Sequence, residues 1–126
     1  MKKILIVEDD KSIVMALTVR LRAAGYAVIV AFDAVMALGT ALKHRPNLVL
    51  LDISMPGGNG FMVAERLQNS SLTAGVPMLF LTASKQPGLR ERAQEVGAVG
   101  FFEKPYEATE LLDAIAKALG EPDHAS

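Results

Sequence analysis

Leu48-Val49-Leu50-Leu51 runs without a polar break into Asp52-Ile53-Ser54-Met55-Pro56. A strand with one wet face alternates apolar and polar residues, whereas a strand covered on both faces is apolar throughout. The run therefore predicts an interior strand of a parallel sheet with an acid at its carboxyl end. Four more apolar runs share that character: Ile4–Val7, Tyr26–Ala31, Val76–Leu81 and Ala98–Phe102. Between and after the runs, apolar residues recur at helical spacing. The sets are Ile13, Leu17, Leu21 and Ala24; Val35, Leu38 and Leu42; Val63 and Leu67; Leu89, Ala93 and Val96; and Ala108, Leu111, Ile115 and Ala118. Gly25, Gly97 and Gly120 follow three of these segments, where a helix end takes a left-handed residue. Asp10, Asp33 and Asn59 precede three of them and suit N-caps.

Five alternations of strand and helix predict an α/β fold built from right-handed βαβ units. The leading architecture is a flavodoxin-like, doubly wound, five-stranded parallel sheet of order 2-1-3-4-5. Five helices complete a three-layer α/β/α sandwich. The 126 residues make one domain, expected over 1–120, with a polar tail over 121–126. An apolar fraction of 51% argues against disorder. A net charge of −1 disfavours nucleic acid as a direct partner. The chain has no Cys, which excludes disulfides, thiolate nucleophiles and Cys-bound metals, and only two His, His44 and His124. His44 lies beside Lys43 and Arg45, where cations suit a helix C-terminus. No run has the length of a signal-peptide core or a membrane span, so a cytoplasmic protein with no membrane partner is expected.

In an open parallel sheet the ligand sits beyond the carboxyl ends of the strands, at the switch in strand order. Glu8, Asp9 and Asp10 follow the first run, Asp52 ends the third, Thr82 follows the fourth, and Glu103, Lys104 and Pro105 follow the fifth. Glu8, Asp9 and Asp52 are expected to converge. At ~4 Å two unit charges repel by about 4 kcal/mol even at an effective dielectric of 20. A hard divalent cation with oxygen ligands resolves that, which favours Mg²⁺, with Mn²⁺ as the alternative. Lys104 can add positive charge and Thr82 a hydroxyl donor, equipping Asp52 to attack phosphorus. Asp10 reads more simply as the cap of the first helix. Arg90, Glu91, Arg92, Gln94 and Glu95 read as the solvated face of the fourth.

Val7-Glu8-Asp9-Asp10, Leu51-Asp52-Ile53-Ser54-Met55-Pro56 with Gly60, Thr82-Ala83 and Lys104-Pro105 stand in order at strand ends. Together they resemble the response-regulator receiver domain of two-component phosphorelay signalling, over roughly Lys3 to Leu119. The resemblance implies Asp52 as acceptor of a phosphoryl group from a sensor histidine kinase or phosphotransfer protein. It implies Glu8, Asp9, Asp52 and the backbone carbonyl of Ser54 as Mg²⁺ ligands, with Lys104 and Thr82 on the phosphoryl group. It also implies a cis Lys104–Pro105 bond. Thr82 and Phe101 would act as the switch, shifting the surface from Pro87 to Leu119 that meets a downstream protein or a linked output domain. The resemblance further implies that transfer and the later loss of phosphate are self-catalysed, and no separate catalytic output is expected in this chain. A monomer or weak homodimer is expected.

Three departures from the family pattern matter. Glu8 stands where Asp is frequent, and its longer arm is expected to reach the cation through water. Phe101 lacks the hydroxyl of a Tyr, so its buried form leaves no polar group unpaired. Gly57-Gly58-Asn59-Gly60 is rich in glycine, which suggests a mobile loop. Small Ser54 and Ser84, two residues beyond Asp52 and Thr82, leave water access open and point to a short phosphoryl lifetime. The rival enzyme, an aspartyl phosphohydrolase, would want an acid where Ser54 stands. A flavodoxin-like cofactor binder would want a phosphate loop where Glu8, Asp9 and Asp10 stand.

Overall fold

The five apolar runs become five parallel strands in the computed structural model, which describes residues 1–55 and 58–122. In chain order the elements are β1 (Lys3–Val7), α1 (Lys11–Ala23), β2 (Ala27–Ala31), α2 (Ala34–His44), β3 (Leu48–Asp52), β4 (Ser54–Met55), β5 (Gly58–Asn59), α3 (Gly60–Gln68), β6 (Met78–Thr82), α4 (Leu89–Glu95), β7 (Gly100–Glu103) and α5 (Ala108–Ala118). The sheet order is β2-β1-β3-β6-β7, the expected 2-1-3-4-5 once the two short strands are set aside. Those two, β4 and β5, pair antiparallel just beyond Asp52 and were not expected from the sequence. Of the glycine-rich loop, Gly57 lies outside the described residues and Gly58–Asn59 forms β5.

Alternation along each strand divides the core into two halves. Leu5, Val7, Val49, Leu51, Met78 and Phe80 face the layer that holds α2, α3 and α4. Ile4, Ile6, Leu48, Leu50, Leu79 and Leu81 face α1 and α5. Every one of these strand residues is buried, which is why the runs carry no polar member.

The expected runs overshoot three strands at their amino ends, β2 by the single residue Tyr26, whose N–H bonds Leu21. The Val76 and Ala98 N–H groups bond Thr73 and Ala93 in turns, so β6 and β7 each begin two residues later. In α2 the expected stripe of Val35, Leu38 and Leu42 is corrected in part: Leu38 packs half-buried against the core and Leu42 is half-buried, but Val35 is not in the contact. The buried residues are Ala34, Ala37 and Ala41, while Val35 is 69% exposed. The methyl groups of these three alanines, with Leu38 beside them, make the contact of α2 with the core. The caps are as expected: Asp10 accepts from the N–H of Ser12 and Ile13, Asp33 from Met36, and Asn59 from Met62. Gly25, Gly97 and Gly120 take positive φ of 94°, 82° and 70°. The end of α2 has no glycine, and Arg45 takes the left-handed conformation there at φ 50°. After α5, the Glu121 N–H bonds Ala116 and its carboxylate accepts from the Tyr26 hydroxyl at 2.8 Å. Residues 123–126 of the expected tail lie outside the described residues.

Candidate functional site

The parity that splits the core also sorts the site. Asp52 continues the series Leu48, Leu50 on the α1/α5 side, and Glu8 continues Ile4, Ile6. Lys104 follows Phe102 with the same parity, across the sheet from β1. Thr82 continues Met78, Phe80 on the opposite side, where Phe101 also lies. Glu8, Asp52 and the Lys104 ammonium thus share one side of the strand ends, while the two expected switch residues share the other.

Glu8 is only 3% exposed. Its Oε2 accepts the backbone N–H of Asp9 at 3.0 Å and of Asp10 at 3.3 Å. Its Oε1 accepts from Lys104 Nζ at 3.0 Å. Lys104 therefore stands against Glu8. The extra methylene of Glu8 lets one carboxylate serve both the loop N–H groups and the ammonium. One carboxylate oxygen each of Glu8, Asp9 and Asp52 lie within 4.8 Å of one another. Asp9 is exposed and Asp52 half-buried. Burial first, then the Glu8 charge and a hydrogen bond to Glu8, push the Asp52 carboxyl from an ordinary 3.8 up to about 7, against the pull of Lys104. Among the described residues this is the one cluster of acids with metal-ligand geometry. Its donor set is all oxygen and carries more negative charge than one lysine offsets, which fits a hard divalent cation.

Thr82 is 1% exposed, and its Oγ1 accepts the Ser84 N–H at 3.0 Å. Its backbone carbonyl accepts the Lys104 N–H at 2.7 Å, so the two loops are joined at the sheet end. Lys85 adds a second tie, from Nζ to Glu103 at 3.1 Å and to the Lys104 carbonyl at 3.2 Å. The Lys104–Pro105 peptide is cis. Ser54 is exposed in the short strand β4. Phe101 is apart from the acids, half-buried on β7 with the Arg90 guanidinium 4.8 Å from its ring centroid.

Gly60 explains its own place in the motif. A Cβ there would collide with the Asp52 carbonyl oxygen and come within 3.1 Å of the Phe80 ring. Backbone cannot yield as a flexible side chain can. Gly60→Ala is therefore expected to cost about 2 kcal/mol in urea unfolding, within the usual range for overpacking. An unchanged midpoint would show that α3 can move away from Asp52.

The family model of the response regulator receiver domain matches residues 4–116. The chain belongs to that family. The role of receiver domains is a phosphorylation switch in two-component signalling. This receiver domain is 33% identical over 123 residues to the DNA-binding dual master transcriptional regulator RpaA of Synechocystis, covering 98% of this chain and 51% of that protein. The chain thus spans about half the length of such relatives. Chemotaxis protein CheY4 of Vibrio cholerae superposes with a TM-score of 0.87 at 33% identity, over 94% of this chain and 99% of that one. The receiver domain of sensor histidine kinase PA1611 from Pseudomonas aeruginosa superposes at 0.86 with 27% identity, over 95% and 98%. That structure holds a magnesium ion in its active-site cleft. No helix among the described residues is long and apolar enough to cross a membrane.

Two residues assigned to a solvated face have partners. Arg92 places its guanidinium 4.3 Å from the Phe61 ring centroid, and Arg90 covers Phe101. The stripe of Leu89, Ala93 and Val96 puts positions 90 and 92 on the two flanks of α4, a signal the sequence did carry. Which rings await them was not legible, because Phe61 and Phe101 come from distant elements.

Proposed function

We propose that Asp52 accepts a phosphoryl group from a phosphohistidine of a sensor histidine kinase or phosphotransfer protein. The observation that carries this is the half-buried Asp52 beside Glu8 and Asp9, with Lys104 held at the rim by Glu8. Glu8, Asp9, Asp52 and the Ser54 carbonyl would hold Mg²⁺, with Mn²⁺ as the alternative. When bound, that cation would neutralise the acids and draw charge from the phosphoryl oxygens. An Asp52 oxygen attacks phosphorus, the phosphorus–nitrogen bond breaks, and the electron pair leaves with the imidazole, which gains a proton from solvent. Lys104 turns from Glu8 to a phosphoryl oxygen, and the Thr82 hydroxyl donates to another.

Thr82 and Phe101 lie on one side of the sheet, so motion of the first frees space for the second. The surface of α4, β7 and α5 then shifts population between two arrangements. Its partner is a downstream protein or a linked output domain. The folded unit spans 1–120, works in the cytoplasm as a monomer or weak homodimer, and makes no direct contact with nucleic acid. The chain has no catalytic output beyond its own phosphoryl transfer and hydrolysis.

The test is intact mass after incubation with acetyl phosphate, with and without Mg²⁺, on wild type and Asp52→Ala. A single Mg²⁺-dependent phosphoryl adduct, absent in the variant, is the expected result. An adduct that persists in Asp52→Ala would overturn the assignment.

A further inference from the structure

The helix α4 has little to hold it. It is seven residues long, and only Ala93 is buried on it. Its N-cap is Gly88, which supplies no side-chain hydrogen bond. A helix this short is unstable alone, so its position depends on tertiary contacts. Leu89 and Val96 are half-buried and complete a thin apolar stripe.

The stripe is flanked by two guanidinium groups, each on a ring. Arg92 lies over Phe61, which is 1% exposed and packed against Phe80 with centroids 5.0 Å apart. That anchor is fixed by the core. Arg90 lies over Phe101, half-buried on the edge strand β7. Arg90 and Phe101 themselves line an open cleft of about 210 Å³, together with Ala93, Ala98 and Gly100, so this second anchor stands at the surface and not in the core. Phe101 has no hydroxyl to bond elsewhere, and the face of its ring is what it offers to Arg90.

We propose that Arg90 is a positioning residue that fastens α4 to Phe101 in the unphosphorylated domain, and that inward motion of Phe101 undoes this one fastener. Arg92 stays on Phe61 and acts as the pivot. The helix is then released at its β7 flank and kept at its α3 flank. The fastening half stands on geometry alone; the release half rests on the proposed role of Asp52.

Hydrogen exchange over residues 89–95 tests both halves on the full chain. In the unphosphorylated protein, Arg90→Ala is expected to speed exchange about two- to five-fold, the range a cation–π contact at an exposed site is worth. Arg90→Lys should lie between wild type and Ala. In a Phe101→Leu background, Arg90→Ala should add nothing. After phosphorylation, wild type should exchange like Arg90→Ala, and that substitution should lose its effect. Arg92→Ala should speed exchange in both states. No effect of Arg90→Ala, or an equal effect in the Phe101→Leu background, overturns the fastener. An effect that survives phosphorylation unchanged overturns the release. A wild type that takes no phosphoryl adduct overturns the phospho-acceptor role and the release together, while the unphosphorylated set still decides the fastener.

Discussion

Asp52→Asn is expected to make the cation-free domain more stable at neutral pH, by about 1–3 kcal/mol, while abolishing phosphoryl transfer. Burial and the Glu8 charge push the Asp52 carboxyl up to about 7, so the folded state holds a proton that the unfolded chain gives up near 4. Between those values the folded state binds more protons than the unfolded one. Stability contributed by this group is therefore complete below about 4, falls as pH rises, and reaches its floor above about 7. Asn stays neutral and can still donate to Glu8, so the variant should show no such fall. The comparison isolates Asp52 from every other carboxylate. Urea unfolding from pH 4 to 8 measures it, and the two proteins should diverge as pH rises. Mg²⁺ should reverse the order, stabilising wild type by linkage and leaving the variant nearly unmoved. Parallel pH profiles for the two proteins would mean that neither burial nor the Glu8 charge raises the Asp52 carboxyl.

This liability at Asp52 is legible in the order of residues alone. Strand ends in a parallel sheet gather at one edge, so three acids following the first and third runs had to meet. The interior strands are equally plain, because burial on both faces removes polar residues from them. The errors have physical causes. In α2, Val35 looks like a core residue because it is large and apolar, yet the face turned to the core is the one that carries Ala34, Ala37, Leu38 and Ala41. The short strands β4 and β5 are two residues each, below the length at which any periodicity can register. The stacks of Arg90 and Arg92 depend on rings brought in by other elements. The pairing of Lys104 with Glu8 joins residues 96 apart, from strands that are not neighbours in the sheet. No local pattern encodes such a meeting; the strand order and the reach of two long side chains do.

That pairing leads to the second large effect. Lys104→Ala is expected to destabilise the cation-free domain by about 3 kcal/mol, because breaking a buried pair strands the remaining charge. The Glu8 side chain is 4% exposed and that of Lys104 19%, so solvent replaces little of what the ammonium supplied. Glu8 keeps its bonds from the Asp9 and Asp10 N–H groups, which hold it in place beside Asp52 with nothing to offset its charge. Glu8→Gln removes that charge while keeping the acceptor for those N–H groups. The double variant Glu8→Gln, Lys104→Ala should therefore recover most of the loss. Mg²⁺ discriminates further: a cation among Glu8, Asp9 and Asp52 takes over the role of the ammonium, so it should stabilise Lys104→Ala more than wild type. A cost below about 1 kcal/mol would place the pair with ordinary surface ion pairs. Additive losses in the double variant would mean that Lys104 stabilises through packing of its methylenes and not through Glu8. Slow phosphoryl transfer in a Lys104→Ala domain kept folded by Mg²⁺ would then separate the two duties of this side chain, neutralising Glu8 at rest and meeting the phosphoryl oxygen in transfer.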